Sequence, residues 1–481
     1  LIGGSGRDTF TLTGTQNYAI QGGAGDDTLK FNSGAIFAGT FDGQIGSDTL
    51  DYSAFGVAAP VTVNLSTASI QNVTGSISSV ENVIGGSGND NLTGDGTNNM
   101  LDGGPGNDNL YGLGGDDTYR FRDGWGVDTV YENAGQGADT MDFSAVSFNL
   151  TVIINASITV SGSGNAASHS ANNVETVIGG AGVDIFTITG ARPISLKGSA
   201  GNDTFIFNDT ATLTNGSVID GGSGTDSLIY TTYTDSRNWI LTGLGTLDGF
   251  KGTEASIAGG FDNINAIHAK ARLVNANGAD SLTGLDADAV WNINLSSLRY
   301  TSTNQLDFTN IENLVGGSGA DTFIFANNAQ LPGVFNSIAG KAGSDTLDYS
   351  AYTTLVEVYL NGGIATGTTG GVSSIENIIG SLTAGNILHG DSSDNIFISG
   401  RGDDTLVGYG GDDTYIFDAD SPLGTDIVDE QSGGGGGTDT LIFSSTTTLG
   451  IFIDLTISSA QVVNTNLTLT LLGTLENVIG T

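Results

Sequence analysis

Residues 85–120 divide without remainder into four nonapeptides in one register: GGSGNDNLT, GDGTNNMLD, GGPGNDNLY and GLGGDDTYR. Residues 381–416 give four more, SLTAGNILH, GDSSDNIFI, SGRGDDTLV and GYGGDDTYI, offset from the first set by 296 residues. Both arrays end in Gly-Asp-Asp-Thr-Tyr, with a Phe two residues beyond the Tyr. Internal repetition on this scale is the mark of a solenoid, in which each unit buries its apolar face only against its neighbours. Within a unit, Gly, Asn and Asp set a turn and the apolar stretch that follows sets a short strand.

Single copies recur outside the arrays, as GGSGRDTF from residue 3, GGAGDDTL from 22, GGAGVDIF from 179, GSAGNDTF from 198, GGSGTDSL from 221 and GGSGADTF from 316. Weaker copies start at residues 43, 275 and 340. Their aspartates fall about one coil apart, as Asp8, Asp27 and Asp48, then Asp184, Asp203 and Asp226, then Asp321 and Asp345. That spacing places turns above one another on one side of a longer coil. A second anchor, Val80-Glu81-Asn82-Val83-Ile84-Gly85, recurs in closely similar form around Glu175, Glu312, Glu376 and Glu476. Between anchors the chain alternates as a strand does, for example in Val61-Thr62-Val63-Asn64-Leu65.

The nonapeptides resemble the RTX, or hemolysin-type, calcium-binding repeat, G-G-x-G-x-D-x-U-x with U large and apolar. The resemblance is strong over the two arrays and scattered elsewhere. It implies an all-β fold, a parallel β-roll or β-solenoid built from calcium-binding nonapeptide turns and longer irregular coils. Two nonapeptides make one coil, so a turn should share an ion with the second turn after it. The expected pairs are Asp90 with Asp108, Asn99 with Asp117, Asn386 with Asp404 and Asn395 with Asp413, and Asp90 with Asp108 is the expected leading site. Asn keeps an oxygen ligand without the charge, so its sites should be weaker. Carboxylates and turn carbonyls suit Ca²⁺, a hard cation taking six to eight oxygens. The isolated Asp8, Asp27, Asp48, Asp184, Asp203, Asp226, Asp321 and Asp345 are expected to act likewise.

These signals divide the chain as follows. Residues 1–84 read as an irregular solenoid repeat, 85–120 as the first nonapeptide array and 121–180 as a β extension. Residues 181–380 read as irregular solenoid repeats with a tryptophan-containing insert at 231–310, which holds Trp239 and Trp291. Residues 381–416 are the second array and 417–481 a further β extension. A helical turn is expected within 253–272, where strand alternation lapses. The opening Leu1-Ile2-Gly3-Gly4 reads as the middle of a repeat, so the chain is expected to be a segment of something longer.

Charge narrows the partners. The chain has 52 acidic and 13 basic residues, a net charge of −39, and only 9 of the acids are Glu. Such a surface opposes nucleic acid and anionic membranes, and its self-repulsion calls for bound cations. There is no Cys, hence no disulfide framework, and no apolar run long enough to span a membrane. Calcium-coupled folding, in which binding free energy becomes folding free energy, is the expected substitute. The resemblance implies export and folding outside the cell. The expected role is a non-enzymatic, calcium-binding structural protein of the bacterial cell surface: a surface layer, an extracellular filament or an adhesin stalk, self-associating into a filament or lattice. The alternatives are a carrier or targeting module of a larger secreted enzyme, and a glycan-binding module with Trp239 and Trp291 as stacking platforms.

Overall fold

The computed structural model describes residues 1–171, 173–271, 279–295, 297–333, 336–434 and 436–480. Among them the regular structure is strand throughout, apart from a single 3-10 turn at Leu360–Gly362. The fold is an all-β parallel β-roll. Two units divide the chain. The first comprises residues 1–232, 245–248 and 255–264, and the second residues 233–244, 249–254 and 265–481. The division falls inside the irregular 231–310 region.

In the first unit, one face stacks Thr9–Leu12, Thr28–Phe31, Thr49–Asp51, Asn82–Ile84, Met100–Asp102 and Thr118–Arg122 in parallel. The opposite face stacks Thr62–Asn64, Asn91–Thr93, Asn109–Tyr111 and Val127–Tyr131. Register advances by one coil at each step, so Asn91 pairs with Asn109 and Met100 with Thr118. The second unit repeats the plan. Ile396–Ile398 pairs with Thr414–Ile416, which pairs with Thr440–Ile442. Opposite them Asn386–His389 pairs with Thr405–Val407, which pairs with Gly424–Asp429.

The three-residue strands point one side chain inward. Leu92, Leu101, Leu110, Tyr119, Leu388, Phe397, Leu406 and Tyr415 occupy that slot and are buried. Larger coils fill the wider core with aromatic stacks, such as Phe121 on Phe143 at 4.3 Å and Phe325 on Tyr349 at 4.7 Å between ring centres. Each buried Leu or Phe contributes about 1.5–3 kcal/mol of transfer free energy. Antiparallel strands enter where the coil is longest. Thr151–Ile154, Ile158–Gly162 and Asn165–His169 form one meander, and Ala289–Ile293, Leu298–Thr301 and Gln305–Thr309 another.

The irregular region departs from expectation in two ways. Residues 253–268 form no helical turn: the chain runs as strands Phe250–Glu254, Ile257–Ile264 and Ala266–His268, while 272–278 lie outside the described residues. Trp239 and Trp291 are completely buried. Trp239 sits in register with Leu282 and Trp291 with Phe323, so both fill inward slots of the roll. Neither ring is available as a stacking platform for a glycan.

Candidate metal centres

The sixth residue of each turn is held by its neighbours above and below. The backbone N–H of one such residue donates to Oδ1 of its equivalent one coil later. In the first array Asp90 donates to Asp108 at 2.7 Å and Asn99 to Asp117 at 2.7 Å. In the second, Asn386 donates to Asp404 at 2.6 Å and Asn395 to Asp413 at 2.8 Å. The isolated copies form the same ladders: Asp8 to Asp27, Asp27 to Asp48, Asp184 to Asp203, Asp203 to Asp226 and Asp321 to Asp345, all at 2.7–2.8 Å. Every residue nominated from the repeats therefore stands on a rung, next to the partner its spacing predicts.

The rungs are of two kinds, set by the second residue of the turn. Where a ladder begins, that residue's N–H caps the side chain in its own turn. Gly4 caps Asp8, Gly86 caps Asp90, Gly180 caps Asp184 and Gly317 caps Asp321, at 2.6–2.8 Å. Further along, the second residue takes positive φ and its N–H no longer meets the carboxylate. This holds at Gly23, Gln44, Gly104, Leu113, Ser199, Lys341 and Tyr409, with φ between 75° and 115°. On these turns Oδ2 of Asp27, Asp48, Asp108, Asp117, Asp203, Asp345 and Asp413 is buried and accepts no hydrogen bond. Gln44, Leu113, Ser199, Lys341 and Tyr409 hold this conformation despite a side chain, at a cost of roughly 1–2 kcal/mol each. Asp90, the expected leading ligand, already receives the N–H groups of Val61 and Gly86, at 2.7 and 2.6 Å. The unmet demand lies one rung on, at Asp108.

The first residue of the turn completes the site. At Gly85 a Cβ would strike both Asp90 Oδ2 and the Gly103 carbonyl; at Gly198, Asp203 Oδ2 and the Gly221 carbonyl; at Gly316, Asp321 Oδ2 and the Gly340 carbonyl. A glycine there leaves open the place where a carboxylate oxygen and a carbonyl of the next coil converge. Burial pushes these carboxyls up, Asp90 to about 6, Asp108 and Asp117 to about 7 and Asp203 to about 8, with neighbouring carboxylates on Asp108, Asp117 and Asp203 adding to the rise. Buried carboxylates beside converging carbonyls, with Oδ2 of residues such as Asp108 and Asp203 lacking a donor, form an all-oxygen donor set suited to Ca²⁺. The successive Asp residues and turn carbonyls would hold it, and a bound ion would neutralise the charge that burial penalises.

Several rungs escape the nonapeptide pattern. Asp108 donates to Asp128, Asp117 to Asp139, Asp404 to Asp426 and Asp413 to Asp439, extending all four array ladders by one coil. These sites keep only Gly-x-Asp-x and a large apolar residue, a shorter signal that would have found them. The Glu anchors have a role as well. Oε2 of Glu81, Glu175, Glu312, Glu376 and Glu476 accepts the N–H of Asp48, Asp139, Asp280, Asp345 and Asp439 at 2.7–2.9 Å. Each Glu takes the place of a next-coil aspartate where that coil has no matching turn. Position five makes a parallel ladder: Asn89 receives the N–H of Asn107, Asn98 that of Asp116 and Asp394 that of Asp412.

Stacked six-residue turns, carboxylate ladders and inward apolar strands define a calcium-binding β-roll. The family described as RTX calcium-binding nonapeptide repeat (4 copies) matches the chain at residues 19–35, 84–119 and 384–421. The chain thus carries RTX repeats, and these bind Ca²⁺ at multiple sites. Comparison with curated proteins gives no match.

Proposed function

We propose that this chain is a secreted calcium-binding structural protein of the bacterial cell surface, part of a surface layer, an extracellular filament or an adhesin stalk. In this reading Ca²⁺ drives both its folding and its self-association. The observation that carries the reading is the distribution of the carboxylate ladders. They recur through each unit, coil after coil, so cation binding is spread along the fold as a structural element would have it. Among the described residues no helix is long and apolar enough to cross a membrane. At a net charge of −39 two copies repel strongly, so association should follow cation binding and weaken in chelator.

Light scattering and negative-stain electron microscopy of the purified chain, with calcium raised from chelated to millimolar levels, test this. Growth of filaments or a lattice from this chain alone, reversed by chelator, is the expected result. A folded chain that stays monomeric at saturating calcium would contradict assembly and favour a calcium-folded carrier module of a larger secreted enzyme.

A further inference from the structure

Each array ladder on one side of the roll ends in a cluster unlike the turns before it. In the first unit a carboxylate oxygen from each of Asp117, Glu132 and Asp139 lies within 4.8 Å of the others, and all three residues are buried. In the second unit Asp413, Glu430 and Asp439 repeat the arrangement. Asp117 and Asp413 belong to the last nonapeptide of their arrays. Glu132 and Glu430 come from the strand connection that follows, outside the stretches matched by the repeat family.

Both clusters are built alike in their surroundings. The Tyr119 hydroxyl donates to Glu132 Oε1 and itself accepts the Gly112 N–H at 2.7 Å. Tyr415 donates to Glu430 Oε1 in the same way. A Cβ at Gly112 would strike Asp117 Oδ2, Glu132 Oε1 and the Tyr119 hydroxyl, and one at Gly408 the equivalent three atoms. With one glutamate oxygen fixed by Tyr, the other is left over. Oδ2 of Asp117, Oε2 of Glu132, Oδ2 of Asp413 and Oε2 of Glu430 are buried and accept no hydrogen bond. Glu132 is 7% exposed and Glu430 5%, so bulk water has little access to these oxygens. Three buried carboxylates without an ion pair repel one another heavily unless a cation sits among them.

We propose that Asp117, Glu132 and Asp139, and likewise Asp413, Glu430 and Asp439, form two dedicated calcium sites, which take one aspartate from the last nonapeptide turn, add a glutamate from outside the repeat, and bind more tightly than the other turn sites. Each offers three carboxylates where a turn pair offers two at most, and Tyr119 or Tyr415 orients the extra glutamate as an outer partner. The donors are all oxygen, which selects a hard cation. The irregular spacing of three different connections favours Ca²⁺, with its flexible geometry, over Mg²⁺. These sites would fill first as calcium rises and would pin the coil after each array before the turns load. The inference stands whatever the role of the chain at the cell surface.

Terbium luminescence on the full chain tests it, with tyrosine as the sensitiser. Tb³⁺ added to chelator-stripped protein should fill two tight sites in its first two equivalents, with early tyrosine-sensitised emission. Glu132→Gln and Glu430→Gln should each remove one tight site, and the double variant both, while the calcium-saturated circular dichroism spectrum stays that of the parent. Tyr119→Phe, which keeps the ring and loses the bond to Glu132, should weaken one site by about ten- to a hundredfold. Emission that builds evenly over many equivalents in the parent chain, or two tight sites persisting in the double Gln variant, would overturn the proposal.

Discussion

A buried carboxylate with one oxygen lacking any donor is a costly group, and this chain repeats it from turn to turn. Burial pushes Asp108 and Asp404 up to about 7, Asp203, Asp413 and Asp426 up to about 8, and Asp128 up to about 9. Their ordinary value is about 4. A folded pKa above the unfolded one means that the fold binds more protons than the open chain. Without calcium, these carboxyls support the fold fully below about pH 4 and lose that support progressively as pH rises from there through their folded values of roughly 7 to 9. In chelator, the β signal in far-UV circular dichroism should therefore be larger at pH 5 than at pH 8. Calcium affinity should run the other way, because protons and Ca²⁺ compete for the same oxygens. A calcium titration at pH 6 should show a higher midpoint than one at pH 8. Asp108→Asn keeps an oxygen but removes a charge from a rung with an unmet oxygen. It should raise the calcium midpoint for folding more than the same change at exposed Asp286.

At the scale of the turn, the close approach of glycine to carboxylate sets what the element tolerates. A Cβ at Gly103 would strike Asp108 Oδ2, while one at Gly96 would meet nothing within 4 Å. Gly103→Ala should destabilise the calcium-loaded chain by about 1–3 kcal/mol in urea denaturation, as overpacking does. Gly96→Ala should be nearly silent. The arrays are legible because the full pattern survives at 85–120 and 381–416, and the spacing of Asp8, Asp27 and Asp48 marks turns stacked one coil apart. Asp128, Asp139, Asp426 and Asp439 are not legible as repeats, since their turns share only the Gly-x-Asp core of the pattern and lengthen the coil. The Glu anchors were visible as strings, but their role needs a partner 31 to 37 residues away. Nor could sequence tell Trp239 and Trp291 from exposed platforms, because inward and outward slots differ by a single residue of register. The choice between capped and flipped turns is likewise hidden, since Gly86 and Gly104 are the same residue type in opposite conformations.

Across the whole molecule, ladders and aromatic stacks run through each unit, so stability and cation binding are linked throughout. Anything that binds the folded chain and not the open one stabilises it in proportion to the logarithm of its concentration. The unfolding temperature should climb steadily as calcium is raised above saturation, and calorimetry would follow it. The central claim is that this chain folds because calcium fills its carboxylate ladders. Its most direct test is far-UV circular dichroism of exhaustively chelated protein at pH 8, titrated with Ca²⁺ beside an Asp90→Ala/Asp108→Ala variant. A cooperative coil-to-β transition in the parent, weakened and shifted to higher calcium in the variant, is the result expected. A chain that is already fully β in chelator and indifferent to calcium would contradict it.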